Sequence, residues 1–471
     1  MTLLEDFIGS INDVLWSYVL IIVLIGLGLL FTIKTGFVQF RNLPEMFRVM
    51  FEKDQPTNKK KRGITSFQAF AISAASRVGT GNLAGVATAV AVGGPGALFW
   101  MWLIALLGAA SGFVESTLAQ IYKVPDKEDQ YRGGPAYYME KGLNNRLLGV
   151  IFAITITFTY GLVFNSVQSN TISLAFSGGF EVNQNIMAAV LAVLTAAVIF
   201  GGLKSIAKVA QIIVPVLAII YIAMALFILL INISAVPEMF ALIFANAFGL
   251  REVAGGGFGA AIMMGIKRGL FSNEAGMGSV PNAAATASVS HPVKQGFIQA
   301  LGVFFDTILI CSATGFIIIS AGGYAGSDLD GIQLTQNAFA AHIGEWSEMF
   351  IAIAIFLFAY SSILGNYYYG ESNIGYIKES PVALFIYRIA VIAMVVFGSV
   401  AAFDFVWALA DLTMAIMALI NLYAITKLYK IAHRALQDYR RQRKEGKSNP
   451  VFYRDVLDDE SGVDYWERER E

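Results

Sequence analysis

Apolar residues fall in eleven long runs along this chain. They lie near 15–33, 66–91, 96–121, 149–175, 186–201, 209–232, 255–288, 295–320, 348–370, 382–400 and 404–429. Runs of about 20 apolar residues predict membrane-spanning helices. Two of the runs are interrupted. The second carries Arg77, Gly79, Thr80, Gly81 and Asn82 at its centre, and the seventh carries Lys267 through Ser279. In lipid every backbone polar group needs an internal partner, so a helix breaks only where it lines a cavity or is enclosed by protein. The pattern therefore predicts broken helices at 79–82 and 267–279.

The two broken runs are five spans apart, and five is odd, so they cross the membrane in opposite directions. That is the signature of two five-helix repeats of inverted topology, each opening with a broken helix. The predicted fold is an all-α integral membrane protein of about 11 transmembrane helices. Residues 1–65 form an extra helix and a basic linker, 66–232 the first repeat, 255–429 the second, and 430–471 a charged, solvated cytoplasmic tail. The competing explanation is that the glycines only let helices pack closely.

Composition agrees with a membrane protein: 56% of residues are hydrophobic and 14% charged, with 45 glycines. A soluble domain carries about 25% charge. Charge distribution adds orientation. With the N-terminus outside, 29 of the 33 Lys and Arg fall on the inner side and only Arg251 on the outer, as the positive-inside rule requires. The C-terminus is then cytoplasmic and the protein sits in the cell membrane. The linker at 53–63 is suited to anionic lipid. A single cysteine, Cys311, rules out an internal disulfide and reads as a small packing residue. The net charge of −1 gives no reason to expect a nucleic-acid partner. The three histidines, His291, His342 and His433, are scattered, and no catalytic or metal-ligand spacing appears. No enzyme is expected.

The candidate chemistry lies in the two breaks and the polar positions near them. Glycines at 79, 81 and 85 free amides and carbonyls at no steric cost, and amides at a helix N-terminus favour a carboxylate. Thr80, Gly81 and Asn82 are candidate substrate contacts. In the seventh span Ser272, Asn273 and Gly276 offer polar groups, with Phe271 and Met277 as apolar walls. Lys267 or Arg268 is expected to pair with Glu274 and hold the break in shape. Ser361 and Ser362 either back-bond to their own helix or complete an oxygen shell around sodium. Gln168 reads a substrate or bonds a neighbouring helix. Asp306 is a cation ligand, a proton carrier or a partner of Arg77, and Glu115 is a second candidate partner for Arg77.

The run Gly93-Gly94-Pro95-Gly96-Ala97-Leu98-Phe99-Trp100-Met101-Trp102-Leu103-Ile104-Ala105-Leu106-Leu107-Gly108 resembles the signature of the alanine or glycine:cation symporters, the sodium:alanine symporter family. Val78–Val86, Gly133–Tyr138 and Gly269–Gly278 resemble it too, and the likeness spans nearly all of 15–430. It is strongest for bacillus-type members associated with alanine and glutamine. The resemblance implies a LeuT-like inverted repeat and sodium-driven uptake of small neutral amino acids, with sodium as the co-transported ion and the bilayer as the only other partner of a monomer. It further implies a sodium site of Ala75, Val78 and Phe358 carbonyls with Ser361 and Ser362 hydroxyls. Proton-coupled relatives of the fold place a lysine there from the fifth core helix, whereas 211–231 contains no Lys or Arg. A proton-coupled symporter is the alternative reading, and an ion channel a more distant one. One departure stands out. Many members carry Trp where this chain has Asn366, ahead of Tyr368-Tyr369-Gly370-Glu371. Loss of the indole implies a pocket open to a larger polar side chain such as glutamine.

Overall fold

In the computed structural model, residues 2–52, 63–126, 130–200, 202–250, 257–327, 329 and 331–468 are described. The basic stretch 53–62, Arg251 and the side chains of Lys204 and Lys208 lie outside the described set. Long apolar segments become helices because only a helix satisfies its own backbone within hydrocarbon. Among the described residues, seven continuous helices are long and apolar enough to cross a bilayer: Glu5–Lys34, Gly96–Ile121, Arg146–Phe180, Val293–Ala321, Trp346–Ile377, Pro381–Val400 and Phe403–Lys444. Pro215–Ile231 and Ile233–Ala247, bent by 79°, form an eighth candidate. Gln184–Ile199 is apolar but shorter. Large apolar side chains such as Ile22, Val193, Ile219 and Ile386 face outward along these helices, as a lipid-facing belt requires.

Both interruptions are real, and narrower than the sequence suggested. The first broken helix begins with a reciprocal cap between Thr65 and Gln68, runs Ser66–Arg77, and stops where Val78 turns extended. Helix resumes over Gly81–Gly93, so Gly81 and Asn82 belong to the second half and not to the break. The second broken helix runs Phe258–Asn273 and ends at Glu274 with φ 58°. A four-residue turn, Pro281–Ala284, follows the gap. Residues 267–273 are helical because the charges there find partners on a neighbouring helix, as shown below. Polarity alone did not break the chain.

Small residues set the spacing around the breaks. A side chain at Gly265 would meet the Ala97 carbonyl, and one at Gly269 would meet Ile104, so the second broken helix lies close on Gly96–Ile121. Gly365 gives the same access between Trp346–Ile377 and Ser76. Here the packing explanation for glycine is correct. Three widened π-type turns, Gly81–Gly85, Thr159–Phe164 and Phe304–Cys311, lie next to the breaks. Such turns re-aim side chains at functional sites.

At one end of the helices, a two-residue hairpin pairs Val124 with Arg132 and Pro125 with Tyr131. Ile64 bridges to Ala287 beside it. The tail departs from the expectation of a solvated segment: Phe452, Leu457, Val463 and Trp466 are buried against this end of the molecule. Its charges had masked four apolar anchors spaced too irregularly to read as an element.

Tyr387 fills a slot between Gly161 and Gly370, its hydroxyl donating to the Tyr367 carbonyl at 2.9 Å. Gly370→Val drives a branched side chain into that ring, and overpacking of this kind costs about 1–3 kcal/mol. The melting temperature of the purified protein is expected to fall, while Gly26→Ala, at a glycine with open space around it, leaves it nearly unchanged.

Candidate functional site

The first break presents carbonyls without helical partners, and a serine on the Trp346–Ile377 helix faces them. Ser362 Oγ lies 2.8 Å from the Ala75 carbonyl, 3.2 Å from that of Phe358 and 3.4 Å from that of Val78. Ser361 Oγ donates to the Phe358 carbonyl at 2.7 Å. Every one of these residues is fully buried. A hydroxyl has one proton, so three carbonyls around Ser362 make a spot richer in lone pairs than in donors. The two serine alternatives divide: Ser361 bonds its own helix, whereas Ser362 also crosses to the broken one. All five positions named from the resemblance are brought together.

The other side of the same break is built differently. Asn82 Oδ1 accepts the Gly79 amide at 2.9 Å, and Asn82 Nδ2 donates to Asp306 Oδ1 at 2.7 Å. Asp306 Oδ2 accepts Ser272 Oγ at 2.8 Å and Thr307 Oγ1 at 2.9 Å. Asp306 thus ties both broken helices to the Val293–Ala321 helix. Cys311 is part of this cluster, with Sγ 3.3 Å from Asn82 Nδ2 and 3.2 Å from Ser272 Oγ. It is more than apolar packing, because the widened turn at 304–311 aims it inward. Thr80 donates its amide to Gln168 Oε1 at 3.1 Å, so Gln168 bonds a neighbouring helix. A side chain at Gly79 would collide with both Ser362 Oγ and Gln168 Oε1.

Phe271 is sandwiched between Phe164 and Trp407, ring centres 4.7 and 4.8 Å away. Met277 Sδ lies 3.8 Å from Tyr160 Oη. Sequence reasoning missed Tyr160, Phe164 and Trp407, because aromatic residues in apolar runs carry no local sign of what they face. The Arg268 guanidinium stacks 4.4 Å from the Trp407 ring and donates to Asp411 Oδ2 at 2.7 Å. Lys267 Nζ lies 3.1 Å from the same oxygen. The expected pairing of these cations with Glu274 is therefore incorrect. Asp411 sits one helical turn beyond Trp407, and that i, i+4 pair was the available signal.

Glu274 instead takes Ser279 Oγ at 2.6 Å and faces Ser76 Oγ at 2.7 Å. Asn366 Oδ1 lies 2.8 Å from that same serine. Asn366 is thus placed on the Ser76–Glu274 chain and not against Asn82 or Ser272. Gly276 and Gly278, both at φ 86°, turn their amides onto Glu115, at 3.0 and 3.1 Å. Positive φ at both explains the glycines. Asn421 Nδ2 completes the carboxylate at 2.7 Å. Asn273 Oδ1 accepts the Ala275 amide at 3.0 Å, which keeps the turn after the helix in shape. Arg77 donates Nη1 to the Gln299 carbonyl at 3.2 Å and forms no ion pair among the described residues, with Glu115 and Asp306 included.

A model of the sodium:alanine symporter family matches residues 1–454. The chain belongs to that family. It is a membrane transporter and not an enzyme. It is 57% identical to the amino-acid carrier protein AlsT of Bacillus subtilis over 99% of this chain and 100% of that one. It is 54% identical to the probable sodium/glutamine symporter GlnT of the same organism, over 98% and 96%. The crystal structure of MhsT in complex with L-phenylalanine matches with a TM-score of 0.56 at 15% identity, covering 82% of this chain and 96% of that one. That likeness establishes a LeuT-like fold.

Glu115 gives a direct test of how the second break is held. In Glu115→Gln one acceptor becomes an NH2 group facing donors, a mismatch worth about 1–3 kcal/mol when buried. A lower melting temperature and reduced maximal uptake are expected; a variant that melts and transports like wild type would show that Glu115 does not hold the break.

Proposed function

We propose that this protein imports small neutral amino acids, alanine and glycine with glutamine among them, driven by sodium, through a ten-helix core of two inverted repeats. The core comprises 66–232 and 255–429, eleven spans in all with the N-terminal helix. The N-terminus is outside, the tail at 430–471 is cytoplasmic, and the unit is a monomer in the cell membrane. The observation that carries the sodium role is the convergence of the Ala75, Val78 and Phe358 carbonyls on Ser362. With sodium bound, the Ser362 hydroxyl turns its proton away and offers a lone pair to the ion beside these carbonyls, with Ser361 supplying a further hydroxyl. The site also lies at the carbonyl end of the Ser66–Arg77 half-helix, the negative pole of its dipole.

The amino acid lies on the opposite side of the same break. Amides at Thr80 and Gly81 form the positive end of the following half-helix and take the carboxylate once Gln168 gives up the Thr80 amide, while Asn82 shapes the turn by exchanging bonds with Gly79. The carbonyl end of Phe258–Asn273, with Ser272 and Asn273, faces the ammonium group. Phe271, Met277, Phe164 and Trp407 enclose the side chain, and Gly276 shapes the wall through Glu115. Asp306 is the candidate second-ion or coupling residue, because its carboxylate joins both broken helices. Asn366 acts on the pocket through Ser76. Coupling follows from adjacency. Sodium fixes Val78, and Val78 precedes the amides that hold the carboxylate, so each ligand prepares the site for the other. Such coupling is typically 1–3 kcal/mol, about 5- to 150-fold in affinity.

Uptake into proteoliposomes under imposed gradients tests this. Ser362→Ala removes a ligand to a charged group, worth about 1.5–3 kcal/mol. Half-maximal sodium is expected to rise about tenfold or more, with the alanine-to-glutamine preference unchanged. A changed preference with unchanged sodium dependence would place Ser362 in the substrate pocket, and equal uptake driven by protons alone would remove the sodium site. Asn366→Trp is expected to weaken glutamine competition against labelled alanine; unchanged competition would take Asn366 out of specificity.

A further inference from the structure

The tail is attached to both halves of the core at one face. Phe452 donates its amide to the Ser290 carbonyl at 2.9 Å, and Ser290 Oγ returns a bond to the Pro450 carbonyl at 2.9 Å. Trp466 Nε1 donates to the Gln120 carbonyl at 3.0 Å, and Tyr131 Oη donates to Tyr465 Oη at 3.1 Å. Asp464 pairs with Lys141 on the short helix that leads into Arg146–Phe180. Gln442 and Val451 exchange two hydrogen bonds, at 2.7 and 3.0 Å, which anchors the tail to the helix it follows.

What lies under the tail is the loop that follows the Pro281–Ala284 turn beyond the second break. Lys123 Nζ and Gln120 Nε2 donate to the Ala287 carbonyl at 2.9 and 3.0 Å. The Lys123 ammonium lies 4.3, 4.4 and 5.1 Å from the rings of Tyr131, Tyr465 and Trp466. Burial pushes its pKa below the ordinary lysine range. Rings packed around the ammonium offset part of that desolvation when it is charged. Two of those three rings belong to the tail, so its docking and the grip of Lys123 on Ala287 strengthen each other. Ala287 is eight residues from Ser279, which holds Glu274 at the break.

We propose that residues 449–466 are a latch, which when docked keeps the Pro281–Ala284 turn and the loop to Ser290 against Gly96–Ile121 and closes this face of the transporter. Undocking lets that segment move and opens the ion and substrate sites to the cytoplasm. The role rests on the transport reading given above, in which one repeat moves against the other around a fixed site.

The test uses the full chain carrying Ser288→Cys, a buried position on the loop between the Pro281–Ala284 turn and Ser290, in inside-out vesicles with an impermeant maleimide. Trp466→Ala with Tyr465→Ala is expected to raise labelling at position 288 by about fivefold or more. It is also expected to raise KM for alanine on the outer face without lowering kcat, and Trp466→Phe should restore most of both. Unchanged labelling overturns the latch. So does a fall in kcat and melting temperature together at constant labelling, which is what a purely structural tail would give. If the wild-type protein moves no amino acid while labelling still rises, the latch stands and the transport reading fails.

Discussion

A helix that breaks inside a membrane must find a partner for every amide and carbonyl it releases, and this requirement organises the protein. At the first break, Ser362 meets the carbonyls of Ala75 and Val78, while Asn82 and Gln168 take the amides of Gly79 and Thr80. At the second, Glu115 takes two amides and Asn421 bonds the Gly276 carbonyl. An unpaired buried group costs roughly 1–3 kcal/mol, so these partners are not optional. They arrive from five helices, and that fixes how the helices stand around the site.

The partners differ in what they can release. Glu115 is a carboxylate filled by three donors, which suits a permanent clamp. Ser362 and Gln168 are single neutral side chains, whose bonds to the freed groups are easier to exchange. Glycines at 265, 269 and 365 keep the backbones close enough for these bonds to form. Charge is handled separately, with Asp411 shared by Lys267 and Arg268 above Trp407. The polar cluster is therefore enclosed by aromatic rings without any of its members serving as the ion-pair partner.

Much of the site was legible as residue type and much less as pairing. Ser361, Ser362, Asn82, Ser272 and Asp306 stood out because polar groups are rare in apolar runs. Their order in the chain gave no means of matching donors to acceptors 200 or more residues away. Lys267 and Arg268 show the failure clearly. Glu274 is near in sequence, yet one helical face carries the cations to Asp411 while the turn at Glu274 points its carboxylate toward Ser76 and Ser279. Asn366 was read as a pocket residue from its departure at a single position, and in the fold it meets Ser76.

By itself, the sequence determined that the chain is a helical membrane protein, that two helices break, and which family it belongs to. These follow from local hydrophobicity and local motif, which act over a few turns. Only the tertiary structure decided which helix supplies each missing hydrogen bond, that Cys311 faces polar groups, and that the tail docks. Those outcomes depend on distances between segments remote in sequence, and the need to pair the backbone groups freed at the breaks selects among them.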